Sequence, residues 1–125
     1  MSGDMTQNLK FTENHEWIDP VTGRCGITDY AQKMLKEIVF ADLPEIGRLL
    51  TKGEPTAAVE SVKAVTDVLA PVAGKVVDVN RALEDAPELI NADPYGAGWI
   101  FALQASSQEE AASLMSADEY AASIS

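Results

Sequence analysis

The sequence predicts a mostly-β fold with a few short helices. Short runs of apolar and β-branched residues recur along the chain, and glycine, proline and aspartate turns separate them. Residues 38–43 and 76–80 resemble each other on either side of a central hairpin, which indicates a pseudo-symmetric sandwich of two small sheets. The composition changes near residue 107, where alanine-rich segments with capping residues predict C-terminal helices.

Length and composition indicate a single domain over residues 1–125. A chain of 125 residues with 46% hydrophobic residues can bury a core without disulfides or a structural metal. Residues 1–8 are polar and are expected to be loose, because they have little to bury. Residues from about 107 to 125 are expected to form a helical appendage on the β body.

The charge balance restricts the class of partner. Nine basic and twenty acidic residues give a formal net charge of −11, which repels nucleic acid and anionic membranes and favours basic surfaces on proteins. No segment has the length of a membrane span, and no signal peptide or amphipathic presequence is recognisable. The sequence therefore predicts a cytoplasmic protein, or the mature form of an organellar one.

The first third of the chain is expected to contain three strands and one helix. The strands are predicted at residues 9–11, 16–18 and 24–27, and turn residues 19–23 separate the last two. Thr28 or Asp29 can cap a helix over residues 30–36. Its apolar positions have helical spacing and are expected to face the core: Tyr30, Met34 and Leu35.

The rest of the chain alternates strands and turns before it becomes helical. Strands are predicted at residues 37–43, on both sides of residues 61–64, at 74–80 and at 99–103, with a long loop over residues 91–98. Helices are predicted at residues 108–115 and 117–124. The first is preceded by a capping box that begins at Ser107, and the second by one that begins at Ser116. Four side chains are expected to dock these helices: Leu114, Met115, Tyr120 and Ile124.

The central hairpin carries the candidate functional residue, Lys63. Residues 61–64 must turn, because the flanking segments are too short and too β-branched for one helix. A lysine in a β-turn is usually just a solvated charge. A lysine at a hairpin tip is also an amine that a modifying enzyme can reach, on a rigid base with free space around it.

The residues around Lys63 favour covalent modification. The sequence Glu-Ser-Val-Lys-Ala over residues 60–64, followed by Asp67 and by residues 70–76, resembles the lipoyl-attachment hairpin of lipoyl carrier domains. Biotin carriers share that architecture but usually flank their lysine with methionines. Because Val62 and Ala64 stand here, lipoate is favoured over biotin.

An ordered set of further motifs makes the resemblance more specific. In chain order they are Asn-His-Glu-Trp (14–17), Gly-Ile-Thr-Asp-Tyr-Ala-Gln (26–32), Leu-Pro-Glu-Ile-Gly (43–47), the lysine hairpin, Leu-Ile-Asn (89–91), Pro-Tyr-Gly (94–96) and Gly-Trp (98–99). Over nearly its whole length the chain is similar to the H-protein family of the glycine cleavage system. The resemblance implies a lipoyl/biotinyl-carrier-type β-sandwich (a barrel-sandwich hybrid). One departure is that Lys36 and Glu37 stand where the family commonly has glycine and an acidic residue.

The family resemblance implies a carrier without a catalytic site of its own. It implies lipoic acid in amide linkage on Lys63 and a monomer that visits several enzymes. A pyridoxal-phosphate glycine decarboxylase transfers an aminomethyl group to the arm, an aminomethyltransferase moves its carbon to tetrahydrofolate, and dihydrolipoyl dehydrogenase reoxidises the dithiol. Lipoate-attaching enzymes modify the lysine, and Glu60 and Ser61 are expected to present the hairpin to them.

The resemblance also implies a surface on which the loaded arm folds back. The matching residues are Asn14, Glu16, Tyr30 and Asp67. A protonated aminomethyl group is cationic, so Glu16 and Asp67 can hydrogen-bond it and shield it from hydrolysis. The alternatives are a solvated edge-strand charge for Glu16 and a turn-supporting acceptor for Asp67.

The residue inventory argues against other site chemistries. One histidine and one cysteine rule out a multi-His/Cys metal site, and His15 is expected to be structural. Cys25 is expected to be a small buried hydrophobe in a strand. Three alternatives stay open: a lipoyl relay that donates its group to other carriers, a biotin carrier, and an unmodified interaction domain.

Overall fold

The chain folds into a sandwich of two antiparallel sheets with short peripheral helices. A computed structural model describes residues 6–125, so most of the predicted loose N-terminus, residues 1–5, lies outside the described residues. Within residues 6–8 the chain makes a turn. The strands are β1 (Lys10–Phe11), β2 (Glu16–Ile18), β3 (Arg24–Ile27), β4 (Ile38–Asp42), β5 (Leu49–Leu50), β6 (Pro55–Ser61), β7 (Val65–Leu69), β8 (Gly74–Val79) and β9 (Phe101–Ala105).

The two sheets are unequal in size. One has six strands in the order β1-β2-β3-β9-β8-β5, and the other has three in the order β4-β6-β7. The predicted sandwich is confirmed, but the two resembling segments lie in different sheets, because β8 pairs with β9 whereas β4 pairs with β6. The last strand begins at Phe101, two residues later than predicted.

The main core lies between the sheets and is aliphatic. Its fully buried side chains include Val59, Val68, Val76 and Ile100. The predicted burial of Cys25 is confirmed, since it is 1% exposed and belongs to this core. A second, aromatic cluster lies under the C-terminal segment and contains Phe11, Trp17, Trp99 and Tyr120.

The helix after β3 and the two C-terminal helices were predicted, whereas two further helices in the middle of the chain were not. In chain order the helices are α1 (Asp29–Leu35), α2 (Ala82–Asp85), α3 (Leu89–Ala92), α4 (Gln108–Ala112) and α5 (Ala117–Ser123). The one-turn helices α2 and α3 were not predicted, and α3 takes the first two residues of the loop expected over residues 91–98. Four residues form too short a segment for helical periodicity to be visible.

Helix α1 does not bury the residues that its spacing indicated. Of the two predicted caps, Thr28 and not Asp29 forms the cap, with Oγ1 accepting from the Ala31 N–H at 3.2 Å. Tyr30 and Met34 are 37% and 54% exposed, so the prediction that they face the core was wrong. Leu35 does pack against the core, and Gln32 is buried. Gln32 can be buried because both ends of its amide are hydrogen-bonded. Its Nε2 donates to Asp29 Oδ1, and its Oε1 accepts from Asn91 Nδ2.

Only one of the two predicted capping boxes forms. Ser116 Oγ accepts from the Glu119 N–H, and the Glu119 carboxylate accepts from the Ser116 N–H. Ser107 makes no such bond, and α4 ends at Ala112 instead of Met115. The docking residues are confirmed, because Tyr120 is buried and Leu114, Met115 and Ile124 pack against the two cores.

Candidate functional site

The lysine turn is built by the buried serine that precedes it. Strands β6 and β7 pair from Pro55–Leu69 to Glu60–Val65, which leaves Val62, Lys63 and Ala64 around the tip. Ser61 is 7% exposed, and its Oγ accepts from the N–H groups of Lys63 (3.1 Å) and Ala64 (3.0 Å). Such local serine-to-backbone bonds stabilise a turn without the positive φ angles of an Asn-Gly turn, and no residue from 61 to 64 has a positive φ. Lys63 is therefore presented from a fixed base.

The hairpin tip rests against the junction between α1 and β4. The Val62 N–H donates to the Glu37 carbonyl at 3.1 Å. The Lys63 Nζ donates to the Met34 carbonyl at 3.4 Å, in the last turn of α1. Lys63 is exposed, as predicted, but its side chain is not remote from the body of the domain. The sequence contained no signal for this contact, because both acceptors are backbone carbonyls.

The α1–β4 junction contains a strained residue. Lys36 has φ 70° and ψ −151°, a conformation that almost only glycine adopts without strain. Asn91 secures the junction: its Nδ2 donates to the Lys36 carbonyl at 2.8 Å, and its Oδ1 accepts from the Ile38 N–H at 2.9 Å. Lys36, where the sequence departs from the family pattern, thus lies beside the lysine turn in space.

Glu16 is buried, so the alternative of a solvated edge-strand charge was wrong. It is 3% exposed and lies on β2, between β1 and β3. Its carboxylate accepts from the Thr12 hydroxyl (2.7 Å) and from the Leu69 N–H of β7 (3.1 Å), and so it joins the two sheets. Burial raises the pKa of Glu16, although both hydrogen bonds act to lower it. Among the described residues it has no ion-pair partner.

Asn14 and Glu16 line one groove with a volume of about 530 Å³. Its walls come from the β1–β2 turn, the segment 52–53, residues 70–71 and the C-terminal helices. Asn14 is exposed at its rim. The groove is therefore mixed in character, with a buried carboxylate on one side and apolar side chains of the C-terminal segment on the other.

His15 belongs to a hydrogen-bonded aromatic cluster, as the structural interpretation expected. Its Nδ1 lies 2.8 Å from the Tyr120 hydroxyl, which also lies 2.8 Å from Thr28 Oγ1. Tyr30 packs on the His15 ring with a centroid separation of 4.8 Å. Burial raises the pKa of Tyr120, so its hydroxyl stays protonated at neutral pH. The cluster links the last helix to the N-terminal cap of α1.

The structure does not bring the four predicted arm-contacting residues into one pocket. Asn14 and Glu16 share the groove described above, and Tyr30 lines a second depression with Tyr95 and Tyr120. Asp67 lies on the exposed face of the three-stranded sheet, opposite Ala58 in the register. Asp67 makes no contact that would identify it as a turn-supporting acceptor.

The described part of the chain has no cluster that could form a metal centre. Residues 6–125 contain no cluster of three or more metal-ligating side chains. Burial raises the pKa of the Cys25 thiol well above its ordinary value, which keeps it protonated and unreactive. No helix among the described residues is long and apolar enough to cross a membrane.

Comparison with known proteins agrees with this geometry. The family model described as glycine cleavage H-protein matches residues 9–125. The chain is 48% identical over 118 residues to the glycine cleavage system H protein of Listeria monocytogenes, covering 93% of this chain and 94% of that protein. It is 49% identical over 119 residues to that of Thermus thermophilus, covering 94% and 93%. A crystal structure of the H protein from Mycobacterium marinum superposes with a TM-score of 0.86 at 40% identity, covering 94% of this chain and 97% of that one.

Proposed function

The chain belongs to the glycine cleavage H-protein family, and on that premise we propose that Lys63 carries lipoic acid in amide linkage as the moving arm of a glycine-cleavage shuttle. The observation that carries the proposal is the exposed lysine on a turn that Ser61 holds in place. The whole chain acts as one carrier domain. It supplies position and reach, while the enzymes that it visits supply the catalysis.

The residues around Lys63 fit the attached group. Val62, Lys63 and Ala64 are all exposed, so the acyl chain meets no steric obstacle at its root. Lipoic acid would supply a reducible disulfide: one sulfur can carry the aminomethyl cargo while the other becomes a thiol, and release of the cargo leaves the dithiol to be reoxidised. The Met34 carbonyl can still accept a hydrogen bond after acylation, because an amide retains one N–H. Acylation removes the charge of Lys63 and takes the formal net charge from −11 to −12.

Glu16 is the residue we propose to receive the cationic cargo. A buried carboxylate with no cationic partner is electrostatically costly, and a cation that reaches it lowers that cost. A carboxylate offers about four lone-pair positions, so it can bind an amine while it keeps the Thr12 and Leu69 bonds. Asn14 lines the same groove and can supply a further acceptor. Tyr30 and Asp67 are secondary positions at which the arm rests between encounters.

The partners proposed are those of the relay: a pyridoxal-phosphate glycine decarboxylase, an aminomethyltransferase, dihydrolipoyl dehydrogenase and the lipoate-attaching enzymes. Tethering makes each transfer intramolecular once a partner has docked, which raises the effective concentration of the arm. The protein acts as a monomer in the cytoplasm or in an organellar matrix.

Intact-mass and peptide mass spectrometry of protein purified from its own cells tests the proposal. The expected result is a lipoyl adduct on Lys63 and on none of the other lysines in the chain: Lys10, Lys33, Lys36, Lys52 and Lys75. Lys63→Arg is expected to fold normally, because an exposed turn residue makes few contacts, and to abolish glycine–bicarbonate exchange. Biotin on Lys63, or no adduct, would contradict the proposal. Transfer of the lipoyl group to other carriers would identify a relay role instead.

A further inference from the structure

The outer face of the three-stranded sheet carries, directly beneath the lysine turn, a row in which two apolar side chains flank a glutamate. In the strand register Phe40 pairs with Glu60, and Glu60 pairs with Val65, so the three side chains lie side by side on one face. Phe40 is 55% exposed and Val65 is 68% exposed. We call Phe40, Glu60 and Val65 the tip row.

A β-bulge is what turns Phe40 outward. Ile38 is buried, and strict alternation along β4 would put Phe40 on the same inner face. The register shifts between Ile38 and Phe40, which inserts Val39 as an extra residue, so Ala41 is buried in place of Phe40. Exposure of a phenylalanine is unfavourable for an isolated domain, and here a specific backbone irregularity produces it. This feature indicates a contact surface.

Other exposed apolar side chains extend the tip row around the lysine. Val62 precedes Lys63 in the turn and is 67% exposed, and Met34, whose carbonyl accepts from Lys63 Nζ, is 54% exposed. The next row along the same face pairs Asp42 with Ala58 and Ala58 with Asp67, which places two carboxylates beside the apolar surface. The patch therefore combines apolar side chains with Glu60 at the tip and carries two further carboxylates towards the middle of the sheet.

The short reach of the lysine side chain indicates which partner enzyme must contact this surface. The Cα-to-Nζ reach of lysine is roughly 6 Å, so an enzyme that acylates Nζ must bring its surface close to the turn and cover the neighbouring residues. An enzyme that meets the finished arm can bind farther away, because the acyl chain extends the reach. The residues beneath the turn are thus contacted most directly by the enzyme that attaches the acyl group.

We propose that the tip row is the recognition surface for the lipoate-attaching enzyme, which presents an apolar recess for Phe40 and Val65 and a basic side chain for Glu60. The inference rests on the proposed lipoylation of Lys63. Charge complementarity supports a basic rim on the partner, because Glu60, Asp42 and Asp67 share this face on a chain of net charge −11.

Steady-state acylation of the unmodified protein by a lipoate ligase, with lipoate and ATP, tests the surface. Phe40→Ser is expected to raise the KM for the carrier at least about ten-fold, as for a central aromatic contact, with little change in kcat. Val65→Ser is expected to act in the same direction, and Phe40→Leu to restore most of the loss. Glu60→Gln is expected to raise KM at low salt and to lose that effect at high salt.

Leu49→Ser is the matched control, because Leu49 is a 75% exposed apolar strand residue in the other sheet. It is expected to leave KM unchanged, and circular dichroism melting checks that each variant is folded. A parental KM for both Phe40→Ser and Val65→Ser, with Lys63 still acylated, overturns the recognition surface but not the carrier function. Failure to acylate the parent protein overturns the carrier function and this surface with it.

Discussion

At the scale of single residues, the most informative position is Lys36. The family resemblance implies glycine where Lys36 stands, and the backbone at this position has a conformation that glycine adopts easily. Because Val62 bonds to the next residue, Glu37, the strain lies one residue from the support of the lysine turn. The junction keeps this conformation because Asn91 bonds to both sides of it.

Lys36→Gly is therefore expected to stabilise the protein. Relief of a strained non-glycine conformation is expected to stabilise the folded state by about 1–3 kcal/mol. The greater freedom of glycine in the unfolded chain offsets about 0.4–1 kcal/mol of that stabilisation. The expected net gain is roughly 1 kcal/mol, measured as the free energy of unfolding in urea. Lys36→Ala is the control, because it keeps the Cβ and is expected to show no gain. An equal gain in both variants would show that the side chain, and not the backbone, is responsible.

Glu16 predicts a pH dependence of stability with a definite sign. Its pKa is raised in the folded state by burial, so the folded state binds this proton more tightly than the unfolded state does. The stability that this tighter proton binding contributes is fully present below the ordinary carboxyl pKa of 4.5. It is lost as the pH rises through the raised pKa of Glu16 in the folded state. Glu16→Gln cannot titrate and lacks this loss.

Urea unfolding of the parent and of Glu16→Gln, at several pH values from about 4 to 7, measures the effect. The advantage of the parent over the variant is expected to shrink as the pH rises. Comparison at equal pH cancels the titration of all other groups. A constant difference would show that Glu16 has the same pKa in both states.

The same variant tests the cargo site. Glu16→Gln preserves size and removes charge, so it is expected to speed spontaneous loss of the aminomethyl cargo by about ten-fold or more, the equivalent of one charge-assisted hydrogen bond. Lipoylation and dithiol reoxidation are expected to stay nearly unchanged. Asp67→Asn, which changes an exposed carboxylate on the sheet face, is expected to have the smaller effect. Parental cargo lifetimes in both single variants and in the double variant would exclude these two carboxylates.

At the scale of elements, the two C-terminal helices show why a motif does not by itself establish a cap. Ser107 and Ser116 have the same sequence pattern, with glutamate three residues later in each case. Only Ser116 forms the reciprocal bonds, in the helix that carries the buried Tyr120. The Glu110 carboxylate instead accepts from the Ala73 N–H at 2.8 Å, which takes the second member of the first box into a tertiary contact.

Serine-to-alanine substitution at the two positions is expected to give different results. Ser116→Ala removes a formed cap and is expected to cost about 0.5–2 kcal/mol. Ser107→Ala removes no side-chain cap bond and is expected to be nearly neutral. Thermal unfolding of the two variants gives the comparison directly, since each serves as the control for the other. Equal destabilisation would mean that Ser107 also caps its helix in solution.

At the scale of the whole molecule, the net charge and the sheet arrangement act together. A charge of −11 favours approach to basic surfaces on partners, while the sandwich places the lysine turn at one end of its smaller sheet. Glu16 joins the two sheets at the free edge of β7, so the proposed cargo site lies at the junction of the layers.

The rate of reaction with the decarboxylase is expected to fall as salt is raised from about 0.01 to 1 M, a range in which screening shortens from roughly 30 to 3 Å. The lipoylated parent and a variant with added surface lysines distant from the tip row make the comparison. A rate that does not depend on salt would show that the net charge serves only solubility.

The sequence by itself determined the class of the fold and the hairpin that exposes Lys63, because these depend on local signals: β-branched runs, turn residues and a motif within a few positions of the lysine. The capping pattern of Ser116 is also local, but only the structure distinguished it from the same pattern at Ser107 and chose Thr28 over Asp29. Only the tertiary structure decided that Glu16 is buried, that Tyr30 and Met34 are exposed, and that a bulge turns Phe40 outward. Those outcomes depend on Leu69, Asn91 and Glu60, which are 20 to 60 residues away along the chain, and periodicity within one element contains no information about such distant partners.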